Sequence, residues 1–120
     1  MRAVRGATTL EVDTPEATQE AVGELINLLL DENQIVIDDI VSVFFTVTSD
    51  LRSFNPARAT RLVRGDWQWV PMLCSQEPDM ATEIPRCIRV LIQWVPNRPY
   101  SDPPKPVYLR QAAQLRPDIS

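Results

Sequence analysis

A chain of 120 residues with 44% hydrophobic and 23% charged side chains fits about one globular domain, residues 1–120, that gains from association with its own copies. Its net charge of −4 argues against nonspecific nucleic-acid binding, which needs a basic surface. No apolar run approaches the roughly 20 residues that span a bilayer, and the lack of histidine removes imidazole triads and imidazole metal ligands.

Met1 to Gly6 carries no apolar signal-peptide region, so a cytoplasmic protein is expected. In that reducing compartment Cys74 and Cys87 are expected as free thiols.

Along the chain, Arg2 to Glu11 reads as a first strand. Its Gly6-Ala7 pair suggests close approach by another backbone or a ligand. Asp13-Thr14-Pro15-Glu16 is a helix start, with Thr14 as N-cap and Pro15 at the first helical position. Ala17, Ala21, Val22, Leu25, Ile26, Leu28 and Leu29 recur at helical spacing, predicting an amphipathic helix that ends near a capping Asn33. Ile40 to Thr48 reads as a buried strand. Asn55 is placed to cap a short helix from Pro56 to about Val63. Gly65-Asp66 is a turn into a strand over Trp67 to Leu73, and Cys87 to Val95 is a second strongly apolar strand. Pro96 to Pro106 is a long proline-rich loop. Lys105 to Leu109 is a short last strand, and Pro117 stops any helix in the tail. The order predicts an α/β (α+β) domain: a mixed sheet with one long amphipathic helix and one short one.

Five places carry candidate chemistry. Arg5, followed by three small residues, suits either a carboxylate pocket or a solvated strand end. Arg58 and Arg61 share a face of the short helix, as a cationic rim or as plain surface. Cys74 and Glu77 follow a predicted strand, where each can hydrogen-bond a ligand hydroxyl or be an inert thiol and a surface carboxylate. Strand alternation puts Cys87, Arg89, Leu91 and Gln93 on one face and Ile88, Val90, Ile92 and Trp94 on the other. Arg89 therefore lies within an apolar strand yet faces away from the core, as a pocket wall or subunit contact requires, and it needs a partner. Tyr108 and Arg116 either close a site or are surface.

Together these segments resemble the monofunctional chorismate mutases of the trimeric, pseudo-α/β-barrel type. The resemblance rests on Arg5-Gly-Ala-Thr-Thr9, Asn55-Pro-Ala-Arg58 with Arg61, Trp67 through Glu77, Cys87-Ile-Arg-Val90, Val107-Tyr-Leu109 and Leu115-Arg-Pro-Asp118, in order along nearly the whole chain. It implies a homotrimer with sites at subunit interfaces, chorismate as substrate, prephenate as product, and no cofactor or metal, in aromatic amino-acid biosynthesis. It also implies roles. Arg5 would bind a substrate carboxylate, Arg89 would reach the ether oxygen of the breaking bond, and Glu77 and Cys74 would meet the ring hydroxyl. Tyr108 would hold the side-chain carboxylate. Ala57, Arg58, Arg61, Met72 and Leu73 would come from the neighbouring subunit. Leu115 and Arg116 would lie at the mouth, in a mobile tail over about 115–120. Asn55 replaces an aromatic residue of the family pattern, and Arg58 replaces a lysine. Two other functions stand beside it: a noncatalytic trimeric module binding a small carboxylate, which keeps the arginines but does not need Arg89 and Glu77 together, and an enamine or imine hydrolase, a class found on a related trimeric fold.

Overall fold

In the computed structural model, which describes residues 1–81, 84–99 and 102–115, the long helix α1 (Pro15–Asn33) starts where its capping residues place it. Thr14 Oγ1 accepts the Ala17 N–H at 3.1 Å, and Pro15 occupies the first turn without forfeiting a helical hydrogen bond. The helix closes one residue later than expected. Gln34 takes the left-handed conformation (φ 52°, ψ 45°) that ends many helices.

Asn33 is free of capping because its side chain serves elsewhere. Its Nδ2 donates to Leu29 O and to Lys105 O, both at 3.0 Å, and its Oδ1 accepts the Lys105 N–H at 2.7 Å. A buried amide thus fastens the end of the proline-rich loop to α1. Asn33→Leu keeps the size and loses all three bonds. It is expected to lower stability by about 2 kcal/mol, the worth of a few hydrogen bonds with partners left behind. Urea unfolding with a shifted midpoint and an unchanged slope is the check.

Five strands form one mixed sheet: β1 (Arg2–Thr9), β2 (Ile40–Val47), β3 (Met72–Gln76), β4 (Cys87–Trp94) and β5 (Val107–Tyr108). Their order is β3-β2-β4-β1-β5. β4 runs antiparallel to both neighbours, while the β2/β3 and β1/β5 pairs are parallel. Helix α1 covers one face, packing Val22, Leu25, Ile26 and Leu29 into a core with Val4, Val43, Phe45, Val90 and Ile92. The short helix α2 (Pro56–Val63) packs beside it, capped by Asn55 Oδ1 accepting the Ala57 N–H at 2.8 Å.

Gly6 explains how closely these layers meet. A Cβ there would lie 2.8 Å from Leu29 Cδ1 and 3.1 Å from the Val107 carbonyl. The small residue therefore admits the α1 side chains and the β5 backbone, on the side of the sheet away from the open face.

Four expectations need correction. The first strand stops at Thr9 rather than Glu11, where Leu10 turns to the Arg86 carbonyl (2.9 Å). Trp67 to Leu73 is not a strand. Gly65–Trp67 form a 3-10 turn, and the Arg64 guanidinium pairs with both Asp66 oxygens (3.2 and 3.0 Å), holding the chain in a bend that buries Trp67. The ladder starts only after Pro71, whose carbonyl accepts the Val43 N–H. The last strand shrinks to Val107–Tyr108 because Lys105 pairs with Asn33 instead. The strand Ile40–Val47 is buried on one side only: Val43 and Phe45 are in the core, while Phe44 is 42% exposed. Two further 3-10 turns, Ile37–Asp39 and Arg110–Leu115, carry no strong sequence signal.

Candidate active site

The face of the sheet opposite α1 is open except at its Ala7/Cys87 end, which the Arg110–Leu115 turn covers, and strand register composes it. Alternation along β4 buries Ile88, Val90, Ile92 and Trp94 at 3% exposure or less and turns Arg89, Leu91 and Gln93 to the open side. Partner residues on adjacent strands share a face. Thr46, Arg89, Ala7 and Tyr108 therefore form one row across β2, β4, β1 and β5. Leu73, Phe44, Leu91 and Arg5 form the neighbouring row across β3, β2, β4 and β1. Ala7, between Arg89 and Tyr108 in the row, is fully buried in a small cluster with Cys87, Ala112 and Leu115.

These rows line a cleft of about 310 Å³ whose polar groups are Arg5, Thr46, Glu77, Arg89 and Tyr108, set against Phe44 and Leu91. Glu77 enters it from just beyond β3, where its N–H donates to Val47 O at 2.8 Å. Its Oε1 accepts the Thr46 hydroxyl at 2.5 Å and lies 3.7 Å from Arg89 Nε. The ion pair is partly shielded, with side-chain exposures of 38% for Arg89 and 18% for Glu77. Two arginines, one carboxylate and a phenol thus surround a half-apolar cleft. It can hold a small dianion and set a cation against a chosen oxygen. Among the described residues no cluster of Cys, Asp and Glu suits a metal ion.

Of the twelve site residues singled out in the sequence, Arg5, Glu77, Arg89 and Tyr108 meet in this cleft. Cys74 does not. The β2/β3 register pairs it with Phe45, so its side chain packs against the core rather than beside Glu77. Burial pushes its thiol pKa up, which keeps it protonated and a poor nucleophile. Ala57, Arg58, Arg61, Met72 and Leu73 lie on α2 and β3, away from Arg5 and Tyr108. There Ala57 is buried, Arg58 stacks over the Phe54 ring at 5.3 Å, and Leu73 is 67% exposed. Leu115 packs beside Ala7, Cys87 and Ala112. Arg116 lies outside the described residues.

Sequence reasoning missed Phe44 and Thr46, and it set Leu91 on the Arg89 face without assigning it to the site. Their signal was a polar Thr46 two residues from Phe44 in a β2 segment otherwise apolar on its other side.

Comparison with known proteins decides what this cleft belongs to. The family model described as chorismate mutase type I matches residues 1–119. The chain belongs to that family. It is 38% identical over 120 residues to chorismate mutase AroH of Bacillus subtilis (strain 168), covering 100% of this chain and 93% of that one. It is 42% identical over 120 residues to chorismate mutase AroH of Thermus thermophilus, covering 99% and 96%. A solved chorismate mutase from Clostridium thermocellum superposes with a TM-score of 0.86 at 32% identity, over 95% of this chain and 99% of that one. The activity that comes with membership is chorismate mutase, an isomerase. Neither the binding module nor the hydrolase finds support.

Proposed function

We propose that the cleft rearranges chorismate to prephenate by holding its reactive conformer and placing the Arg89 cation against the ether oxygen. The observation carrying this is the row that sets Arg89 in the cleft between Glu77, held by Thr46 on the β2 side, and Tyr108 on the β5 side, with Arg5 in the adjoining row. The reaction is pericyclic. One C–O bond breaks as one C–C bond forms, and no proton, nucleophile or electron carrier takes part. A protein without histidine is therefore equipped for it.

Each group has a part the geometry suits. Arg5 and Tyr108 bind carboxylates, Arg5 by its planar fork and Tyr108 by its hydroxyl. Glu77 accepts from the ring hydroxyl. Holding both ends of the molecule brings the bonding carbons together, which is worth several kcal/mol when orientation is good. Arg89 acts as negative charge builds on the ether oxygen, a contribution of about 3–4 kcal/mol for a preorganised donor. The test is loss of chorismate absorbance with matching prephenate, in buffer containing no added cofactor. A folded, assembled preparation that leaves chorismate untouched would refute the proposal.

The complete site takes a second copy. Leu73 and Arg5 lie on one row but three strand steps apart, about 14 Å at the usual spacing. Ala57, Arg58, Arg61, Met72 and Cys74 are on α2 and β3 as well. One subunit therefore supplies Arg5, Glu77, Arg89 and Tyr108, and its neighbour supplies the α2/β3 wall, in a homotrimer with three sites. The exposed apolar Phe44 and Leu73 on the uncovered sheet face support this association. Leu115, packed beside Ala7 and Tyr108, is assigned to the mouth of the site. The place of work is the cytoplasm, in keeping with the absence, among the described residues, of any helix long and apolar enough to cross a membrane.

Cys74 is given a place in the neighbour's wall as a neutral thiol. Cys74→Ser preserves a small weak donor and is expected to retain most turnover. A covalent adduct at Cys74 in mass spectra of the enzyme during turnover would contradict this role.

A further inference from the structure

We infer that Thr46 is a positioning residue whose hydroxyl clamps one oxygen of Glu77 and so prevents that carboxylate from closing a two-pronged pair with Arg89. The inference rests on the assignment of Glu77 and Arg89 to the reaction. Register places Thr46 directly across from Arg89, while the neighbouring Val47 carbonyl receives the Glu77 N–H at 2.8 Å. β2 thus fixes Glu77 twice, by backbone and by side chain.

The distances show which partner holds the carboxylate. Thr46 Oγ1 to Glu77 Oε1 is 2.5 Å, the short range of a hydroxyl on an ionised carboxylate. Arg89 Nε to the same oxygen is 3.7 Å, beyond hydrogen-bond length. A guanidinium and a carboxylate this close and this shielded ordinarily settle into a fork of two parallel hydrogen bonds. Such a fork would turn both Glu77 oxygens to Arg89. The ether oxygen would then meet a neutralised cation, and the ring hydroxyl would lose its acceptor. With Oε1 held by Thr46, Oε2 accepts no hydrogen bond from another described residue and faces the task of binding substrate.

Kinetics of Thr46→Val, Thr46→Ser, Glu77→Ala and the Thr46→Val/Glu77→Ala pair test this, with thermal midpoints as the folding control. Thr46→Val keeps the shape and removes the hydroxyl. It is expected to lower kcat about 10- to 100-fold, the scale of one hydrogen bond to a charged group. KM should rise only by the worth of the ring-hydroxyl contact, because the neutralised Arg89 cation acts mainly in the transition state. Thr46→Ser restores most of the loss. In the Glu77→Ala background Thr46→Val adds little, since no carboxylate remains to be held. Thr46→Val at the parent rate beside a slow Glu77→Ala overturns the clamp and leaves the reaction assignment standing. An equal further loss in the Glu77→Ala background, or a serine variant as slow as the valine one, also overturns it. A Glu77→Ala enzyme at the parent rate overturns the assignment itself.

Discussion

Replacing Arg89 with citrulline is expected to slow turnover about a thousandfold while leaving chorismate binding nearly intact. Citrulline keeps the planar shape and most of the donors of arginine but carries no charge, so it separates hydrogen bonding from electrostatics. In bound chorismate the ether oxygen is a weak acceptor. In the transition state its bond to carbon is breaking and its negative charge grows. An interaction that strengthens only then lowers kcat without a matching rise in KM. The partly shielded cleft makes that charge worth more than it would be in water, and preorganised donors of this kind commonly contribute factors of about 100 to 1,000. Arg89→Ala, which also loses shape and donors, should fall at least as far, and Arg89→Lys should recover part of the rate if its head reaches the oxygen. Single-turnover rates with a parallel binding measurement check the split. Citrulline turning over near the parent rate would sink the electrostatic account and leave conformer selection as the main source of catalysis.

The residues that announced themselves were those whose local pattern is strong. Thr14-Pro15 and the apolar repeat through Leu29 define α1 with local hydrogen bonds alone, and Asn55-Pro56 does the same for α2. Arg89 stood out because one charge in an apolar strand must face away from the core, and alternation says which way. What stayed hidden depends on pairing between distant segments. Cys74 and Glu77 are three residues apart, but one lies inside the ladder and the other just past its end, so the sheet sends them to different places. Thr46 becomes a partner of Glu77 only through the parallel β2/β3 register, which has no local signature. Trp67 misled because an aromatic, β-prone segment was folded into a bend by an ion pair between its own neighbours, Arg64 and Asp66. Asn33 looked like a cap because its use, holding Lys105, lies 72 residues away.

The second large effect concerns assembly, and Leu73→Asp is the substitution that exposes it. Leu73 is on β3, the edge strand of the sheet, beside Phe44 in the register. The two side chains are 67% and 42% exposed, and the half-buried Leu91 continues their row. Among the described residues, helical cover on that face is limited to the Arg110–Leu115 turn over its Ala7/Cys87 end, so Leu73 and Phe44 stay bare, the condition under which large apolar side chains mark an association surface. An aspartate there must shed its water to be enclosed, at a cost far beyond what one leucine contact contributes. Within the isolated subunit the change is mild, because position 73 already faces solvent. The expected result is a folded protein with unchanged helical signal and a mass near 13.6 kDa by light scattering, rather than a multiple of it. Turnover should fall at least about a hundredfold, since each cleft loses the α2/β3 wall with Arg58 and Arg61, and loss of one partner in an enclosed charge pair alone reaches that scale. The enzyme should then show a concentration dependence absent from the parent, as subunits that bind weakly are driven together by mass action. A Leu73→Asp protein that runs as a monomer at parent activity would overturn the shared site. It would mean that Arg5, Glu77, Arg89 and Tyr108 suffice within one chain.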